Sequence, residues 1–349
     1  MISKNRTAKK AAAAVAAVSL LGLAACSSSS SSESTSSSAA ATEAAASQAP
    51  ASDAGGAKTV GFVAVGPEGA WRAANEENIK TTFVPANGYD LKYAPPATSG
   101  DQKSQIDAFT AFVDEGVTAI LLSATEGTGW EDSLKRAQEA EIPVILIDRG
   151  IEPDDTSLYV TRIAPDNVAV AKGVADWAVS AFPDGAKYYT LEGPAGVGVV
   201  NERNKGWDSV MDGQSTFTKV GAQTANWSAE EAKSVFETVL KANNNDIQLV
   251  FAQNDEMGLG AVQAIKEAGL VPGKDVKVAT IDGTKAAMEA LAAGDLSFVA
   301  EYNPLFGDTA LDALNKTLAG ETVPASIVVP STTFDSPEAA AAALPDRKY

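Results

Sequence analysis

Asp148 and Arg149 stand side by side at the end of Ile142 to Ile147, an apolar run broken only by Pro143. A carboxylate accepts hydrogen bonds and a guanidinium presents five donors in a fixed planar fork. The same ending recurs along the chain. Val65 leads into Gly66-Pro67-Glu68-Gly69-Ala70-Trp71-Arg72, and Leu191 into a Gly-rich turn followed by Asn201-Glu202-Arg203. Ala225 is followed by Asn226 and Trp227, and Ala252 by Gln253, Asn254, Asp255 and Glu256. Ile281 is followed by Asp282-Gly283, and Ala300 by Glu301, Tyr302 and Asn303. One such ending is an ordinary solvated turn. A series of them predicts a shared cleft.

The arginines narrow the chemistry. Arg72 and Arg203 fall near the starts of predicted helices, where the macrodipole disfavours a cation. A guanidinium placed there needs partners, and its fork matches adjacent oxygens lying in one plane. Adjacent hydroxyls of a small polyol present that geometry to Arg, Asp and Asn alike. Trp71 and Trp227 offer flat apolar faces to the C–H side of a ring. The alternative is that the arginines bridge lobes or cap carbonyls and the tryptophans are core. Three arginines set against Glu68, Asp148, Asp282 and Glu301 suit a neutral ligand better than a phosphate or an acid.

Such residues need strands to carry them. Apolar runs predict strands over 59–65, 90–93, 117–123, 142–148, 158–163, 186–192, 220–225, 247–252, 276–282, 296–302 and 326–329. Between most of them lie helical patterns. Ile106, Phe109, Phe112 and Val113 form a 3.6-residue stripe ended by Gly116, a C′ residue. Val170, Val174, Trp177 and Ala181 repeat the stripe before Pro183. Ser228 to Glu231 has the form of a capping box ahead of Val235, Phe236 and Leu240. Repeated strand–helix units predict an α/β fold of doubly wound parallel sheets. Eleven strands exceed what one such sheet usually carries, so two lobes are expected. Pro165 and Asp166-Asn167 mark a crossing point between them.

The chain has 349 residues, 45% hydrophobic and 21% charged, and its first 57 stand apart. Lys4, Arg6, Lys9 and Lys10 precede the apolar stretch Ala11 to Leu23, which is too short to span a bilayer; 1–26 reads as a secretory signal peptide. It ends in Leu23-Ala24-Ala25-Cys26, which resembles a bacterial lipobox. Residues 27–57 are Ser, Ala, Thr and Gly with a few acids, a composition that buries no core. They read as a tether reaching on the order of 30 Å. Loss of the four basic residues takes the formal charge from −18 to −22. So acidic a body argues against nucleic acid and anionic membrane as partners. Cys26 is the only cysteine and there is no histidine. That excludes an internal disulfide, His- or Cys-ligated metal and His or Cys catalysis.

Together the stretches resemble the type I solute-binding proteins of bacterial sugar ABC importers, from about Lys58 to the end. Asp148-Arg149, Asn254 to Met257 and Asp282-Gly283 look like the ribose-binding group. Gly69 to Arg72 and Gly129-Trp130 with 142–150 resemble the galactofuranose-binding branch. GFVAVGPEG (61–69), LEGPAG (191–196), ANWS (225–228), FAQNDEMGLGA (251–261), TIDGTK (280–285) and EYNP (301–304) resemble the bifidobacterial fructose-import members. Trp71 agrees with the galactofuranose branch, whereas the fructose members carry Phe there. The resemblance implies two Rossmann-like lobes joined by three crossovers: 58–163 with 302–328, and 164–301 with 329–349. It implies a monosaccharide bound by Glu68, Trp71, Arg72, Asp148, Arg149, Arg203, Trp227, Asn254, Asp282 and Glu301, and assigns nothing to Arg162. Lipid on Cys26, a monomer anchored outside the membrane of a Gram-positive cell, and a permease with its cytoplasmic ATPase as partners follow from the same likeness. No cofactor is expected.

Two other readings compete. An enzyme on the same layout lacks a P-loop and a G-x-G-x-x-G on the first strand–helix turn, although paired carboxylates leave glycosidase chemistry open. A transcription regulator lacks a basic DNA-binding segment. A sugar-sensing receptor role remains compatible with the sequence.

Overall fold

The computed structural model describes residues 57–98 and 100–349. The signal peptide, most of the tether and Cys26 lie outside them. The first sheet contains β1 (Lys58–Val63), β2 (Tyr89–Ala94), β3 (Ala119–Leu122), β4 (Val144–Ile147), β5 (Thr161–Ala164) and β11 (Ser326–Val328). Their order is β11-β5-β4-β3-β1-β2, every pairing parallel. The helices between these strands are α1 (Ala70–Thr82), α2 (Gln102–Glu115) and α3 (Glu131–Glu139).

The second sheet contains β6 (Lys187–Glu192), β7 (Thr218–Thr224), β8 (Leu249–Ala252), β9 (Lys277–Asp282), β10 (Phe298–Glu301) and β12 (Thr333–Phe334). Their order is β12-β10-β9-β8-β6-β7. Its helices are α4 (Asn167–Ala181), α5 (Gly198–Met211), α6 (Ala229–Ala242), α7 (Asp255–Glu267) and α8 (Lys285–Ala292). The chain passes between sheets three times: from β5 to α4, from β10 to α9 (Gly307–Leu318), and from β11 to β12, after which α10 (Pro337–Ala343) follows. Two parallel-sheet lobes are therefore present, as the sequence predicts. The short strand β12 was not foreseen; it pairs antiparallel with β10 at two positions, too few for a periodic signal.

Strand parity sorts the apolar side chains between faces. In the first sheet, Val60, Phe62, Ala119, Leu121, Ile145 and Ile147 pack to one side. Val63, Ile120, Leu122, Val144 and Leu146 pack to the other, against Phe109, Trp130 and Leu134. The second sheet does the same: Leu249, Phe251, Ala279 and Ile281 face one layer, and Val250, Ala252 and Val278 face another. Burying each large side chain of this kind stabilises by about 1.5–3 kcal/mol. Burial on both faces explains why these strands read as continuous apolar runs.

Helix ends follow local chemistry. Gly116 closes α2 in the left-handed conformation (φ 67°), which costs glycine nothing sterically. Ser228 accepts from the Glu231 N–H at the start of α6. The reciprocal half of the capping box is absent, because the Glu231 carboxylate instead accepts from Asn226 Nδ2 at 2.7 Å.

Candidate functional site

In parallel sheets the crevice beyond the carboxyl ends of the strands is where functional groups gather. The first lobe supplies five of the predicted residues there. Glu68, Trp71 and Arg72 come from the β1–α1 turn and the start of α1; Asp148 and Arg149 follow β4 directly. Arg72 donates through Nη2 to Asp148 Oδ2 and through Nη1 to Ser123 Oγ at 3.3 Å. Arg149 donates to Glu68 Oε2 at 2.5 Å and to the Thr125 carbonyl at 3.3 Å. Burial pushes the Asp148 carboxyl up, but the Arg72 and Arg149 charges outweigh it and hold its pKa below the usual value. Asp148 has φ 66°, a left-handed conformation that Asp tolerates better than most residues. Its N–H donates to the Ile163 carbonyl at 2.8 Å.

The second lobe supplies the rest. Arg203, on α5, donates through Nε to Asn167 Oδ1 at 3.0 Å, and through Nη1 to the Gln253 carbonyl. Its Nη2 lies 3.6 Å from Asp282 Oδ1. Burial raises the Asp282 pKa well above the ordinary value, and nearby Arg203 only partly opposes this. Trp227 has φ 61°, and the Arg203 guanidinium sits 5.6 Å from its ring centre. Gly193 makes room for that indole: a Cβ there would lie 2.2 Å from Trp227 ring carbons.

These groups converge. Glu68, Trp71, Arg72, Asp148, Arg149, Arg203, Trp227, Asn254 and Asp282 line one cavity, together with Val199 and Tyr302. With its mouth included, the space between these side chains is about 380 Å³. Three arginines face three carboxyl groups, those of Glu68, Asp148 and Asp282. Arg72 Nε, Arg149 Nε and Trp227 Nε1 are buried donors with no hydrogen-bond partner, an arrangement that costs free energy unless an acceptor meets them.

Several side chains behave differently from the sequence reading. Glu301 does not join this cavity. Its carboxylate accepts from Arg347 Nη1 at 2.5 Å and from the Tyr349 hydroxyl at 2.9 Å, and it lines a separate pocket near the C-terminus. Tyr302, the first residue past β10, lines the cavity in its place. Asn254 lines the cavity but caps α7: Oδ1 accepts from the Met257 N–H at 3.0 Å and Nδ2 donates to Glu256 Oε2 at 2.8 Å. Trp71 is half site and half core. Its ring packs 5.3 Å from Tyr302 and 6.0 Å from Phe306, and its Nε1 donates to the Tyr302 carbonyl. Tyr302 and Val199 were not singled out by sequence; Tyr302 carried a signal, since it ends a strand beside the polar Asn303.

Other contacts cross between the lobes. Glu256 Oε1 accepts from the Ala70 N–H at 2.8 Å, placing an anion at the N-terminus of α1. Arg162, on β5, meets Glu202, on α5, through two hydrogen bonds of 2.8 and 3.1 Å. Among the described residues, no group of three His, Cys, Asp or Glu is placed to hold a metal, and no helix is long and apolar enough to cross a membrane.

Residues 60–322 match the periplasmic binding protein domain family. The chain is 49% identical over 298 residues to the fructose import binding protein FruE of Bifidobacterium longum, covering 83% of this chain and 89% of that protein. It is 37% identical over 295 residues to the galactofuranose-binding protein YtfQ of Escherichia coli, covering 83% and 91%. A similar solved structure is the periplasmic component of the arabinose ABC transporter from Shewanella, bound to L-arabinofuranose. That match has TM-score 0.79 and 36% identity, covering 83% of this chain and 96% of that one.

Proposed function

The chain belongs to the periplasmic binding protein domain family, and from that premise we propose that it is the extracytoplasmic solute-binding protein of an ABC importer. It captures one neutral monosaccharide between its lobes and delivers it to the permease. It acts by binding, without chemistry on the sugar. The observation that carries this reading is the one cavity on which three guanidiniums, three carboxyl groups and the Trp227 ring converge. Hydroxyl groups both donate and accept, so a polyol can meet donors and acceptors together without adding charge. Trp227 supplies a partly exposed ring face.

D-Fructose is the favoured ligand, on the likeness to the bifidobacterial protein. A furanose such as galactofuranose or arabinofuranose is the second reading. It is favoured by Trp71, by the 37% identity to the galactofuranose-binding protein and by the structural similarity to the arabinofuranose complex. Lipid on Cys26 and the tether after it would hold the body at the outer face of the cell membrane. A thermal-shift panel of fructose, ribose, xylose, arabinose, galactose and glucose tests the ligand, because a bound sugar raises the melting temperature by mass action. A shift with fructose supports the first reading; shifts only with galactose or arabinose support the second. A panel in which none of fructose, galactose and arabinose shifts the melting temperature refutes both.

A further inference from the structure

Arg162 uses two edges of its guanidinium for different tasks. Nε donates to the Asp148 carbonyl at 2.8 Å. Nη1 and Nη2 meet the two carboxylate oxygens of Glu202, in the other lobe, at 2.8 and 3.1 Å. Glu202 Oε2 also accepts from Asn167 Nδ2 at 2.7 Å, and Asn167 Nδ2 lies 3.1 Å from the Tyr302 hydroxyl. Tyr302 in turn donates to Asp148 Oδ1 at 2.8 Å. The circuit is closed: Asp148 is held at its carbonyl by Arg162 and at its carboxylate by Tyr302, and both holders reach Asn167 or Glu202.

We propose that Arg162 is a positioning residue that couples closure of the two lobes to the orientation of Asp148. Asp148 keeps a left-handed backbone, a conformation that persists when its surroundings over-determine it. Arg162 and the Ile163 carbonyl supply that restraint on either side of the residue. When the lobes separate, Glu202 withdraws and the guanidinium loses its bidentate partner. Its remaining hydrogen bond to Asp148 then carries less restraint, and the site carboxylate is freed with it. The planar fork is needed for both tasks at once, which a lysine ammonium cannot perform. The pair is only partly buried, its side chains 23% and 32% exposed, so water can replace each partner on opening without a large desolvation penalty. That makes it suited to repeated making and breaking.

This coupling rests on the proposed function, and the test separates the two. Lys103→Cys and Lys241→Cys, exposed positions on α2 and α6, are spin-labelled in the full chain carrying Cys26→Ser, and the interlobe distance is measured with and without D-fructose. Glu202→Gln and Arg162→Lys should each shift the ligand-free distribution toward longer distances. In stopped-flow binding each should raise the dissociation rate about tenfold with little change in association, because the ligand-bound closed form loses an interlobe contact that the open form lacks. In a double-mutant cycle of Arg162→Met and Glu202→Leu the affinity losses should be strongly non-additive. Unchanged ligand-free distances, or strictly additive losses, overturn the coupling. If wild-type protein binds none of the sugars, the proposed function fails, and the ligand-free distances alone still decide the coupling. Circular dichroism melts of each variant confirm that the fold is retained.

Discussion

Tyr302 donates its hydroxyl hydrogen to Asp148 Oδ1 at 2.8 Å, so a residue leaving the second sheet fixes a carboxylate that ends a strand of the first. The bond crosses the cleft beside the crossover, and Arg203 stacks 4.9 Å from the same tyrosine ring. Tyr302→Phe should keep the packing against Trp71 but leave Asp148 with one acceptor less satisfied. Losing such a bond costs about 1–3 kcal/mol, read as a roughly tenfold or greater fall in sugar affinity with the fold intact.

Asp148→Ala and Arg203→Ala should each remove charge-assisted hydrogen bonds to ligand hydroxyls, worth about 1.5–3 kcal/mol, and so weaken binding roughly tenfold to a hundredfold. Arg136→Ala should leave affinity unchanged, because Arg136 forms an exposed pair with Asp114. Equal losses at all three positions, measured by calorimetry, would contradict the site.

Glu301→Gln separates the cavity from its neighbourhood. It should loosen the contacts with Arg347 and Tyr349 and lower the melting temperature, while sugar affinity stays within about twofold.

Gly193→Ala should push the Trp227 indole from its seat, since the new methyl would overlap ring carbons. Overpacking of this kind costs roughly 1–3 kcal/mol. A shifted tryptophan emission maximum together with weaker binding is the expected result.

Stability should also depend on pH through Asp255. Its buried carboxyl accepts from Thr280 Oγ1 at 2.6 Å and from Thr284 N and Oγ1 at 2.7 and 2.8 Å, and burial pushes its pKa up to about 7. Because the folded pKa lies above the unfolded one, the folded state binds more protons between them. Stability from this group is therefore greatest at low pH and falls as pH rises from about 4 to about 7. Asp282 acts in the same direction; Asp148, whose pKa is depressed, acts in the opposite direction and only under acid conditions. Asp255→Asn mimics the protonated carboxyl and should flatten the fall of melting temperature between pH 4 and pH 7.

Much of this was legible in the chain. The runs ending at Val65, Ile147, Ala252 and Ile281 are buried on both faces, so they announce strands without needing alternation, and the polar residue after each marks the crevice. What escaped depended on contacts distant in sequence. Glu301 and Tyr302 are adjacent polar candidates at one strand end, and choosing between them requires knowing that residues 347 and 349 return to Glu301. Asn254 shows the same limit at short range: its type suits a ligand, but its position before a helix commits it to capping. Arg162 gave no signal, because its partner Glu202 lies on the other lobe.

Titration calorimetry with D-fructose tests most directly whether the cavity around Asp148 and Arg203 binds a neutral monosaccharide. One site per chain is expected in the wild-type protein, and binding at least tenfold weaker in Asp148→Ala. Full affinity retained in Asp148→Ala, or no binding of fructose, galactose or arabinose by the wild type, would contradict it.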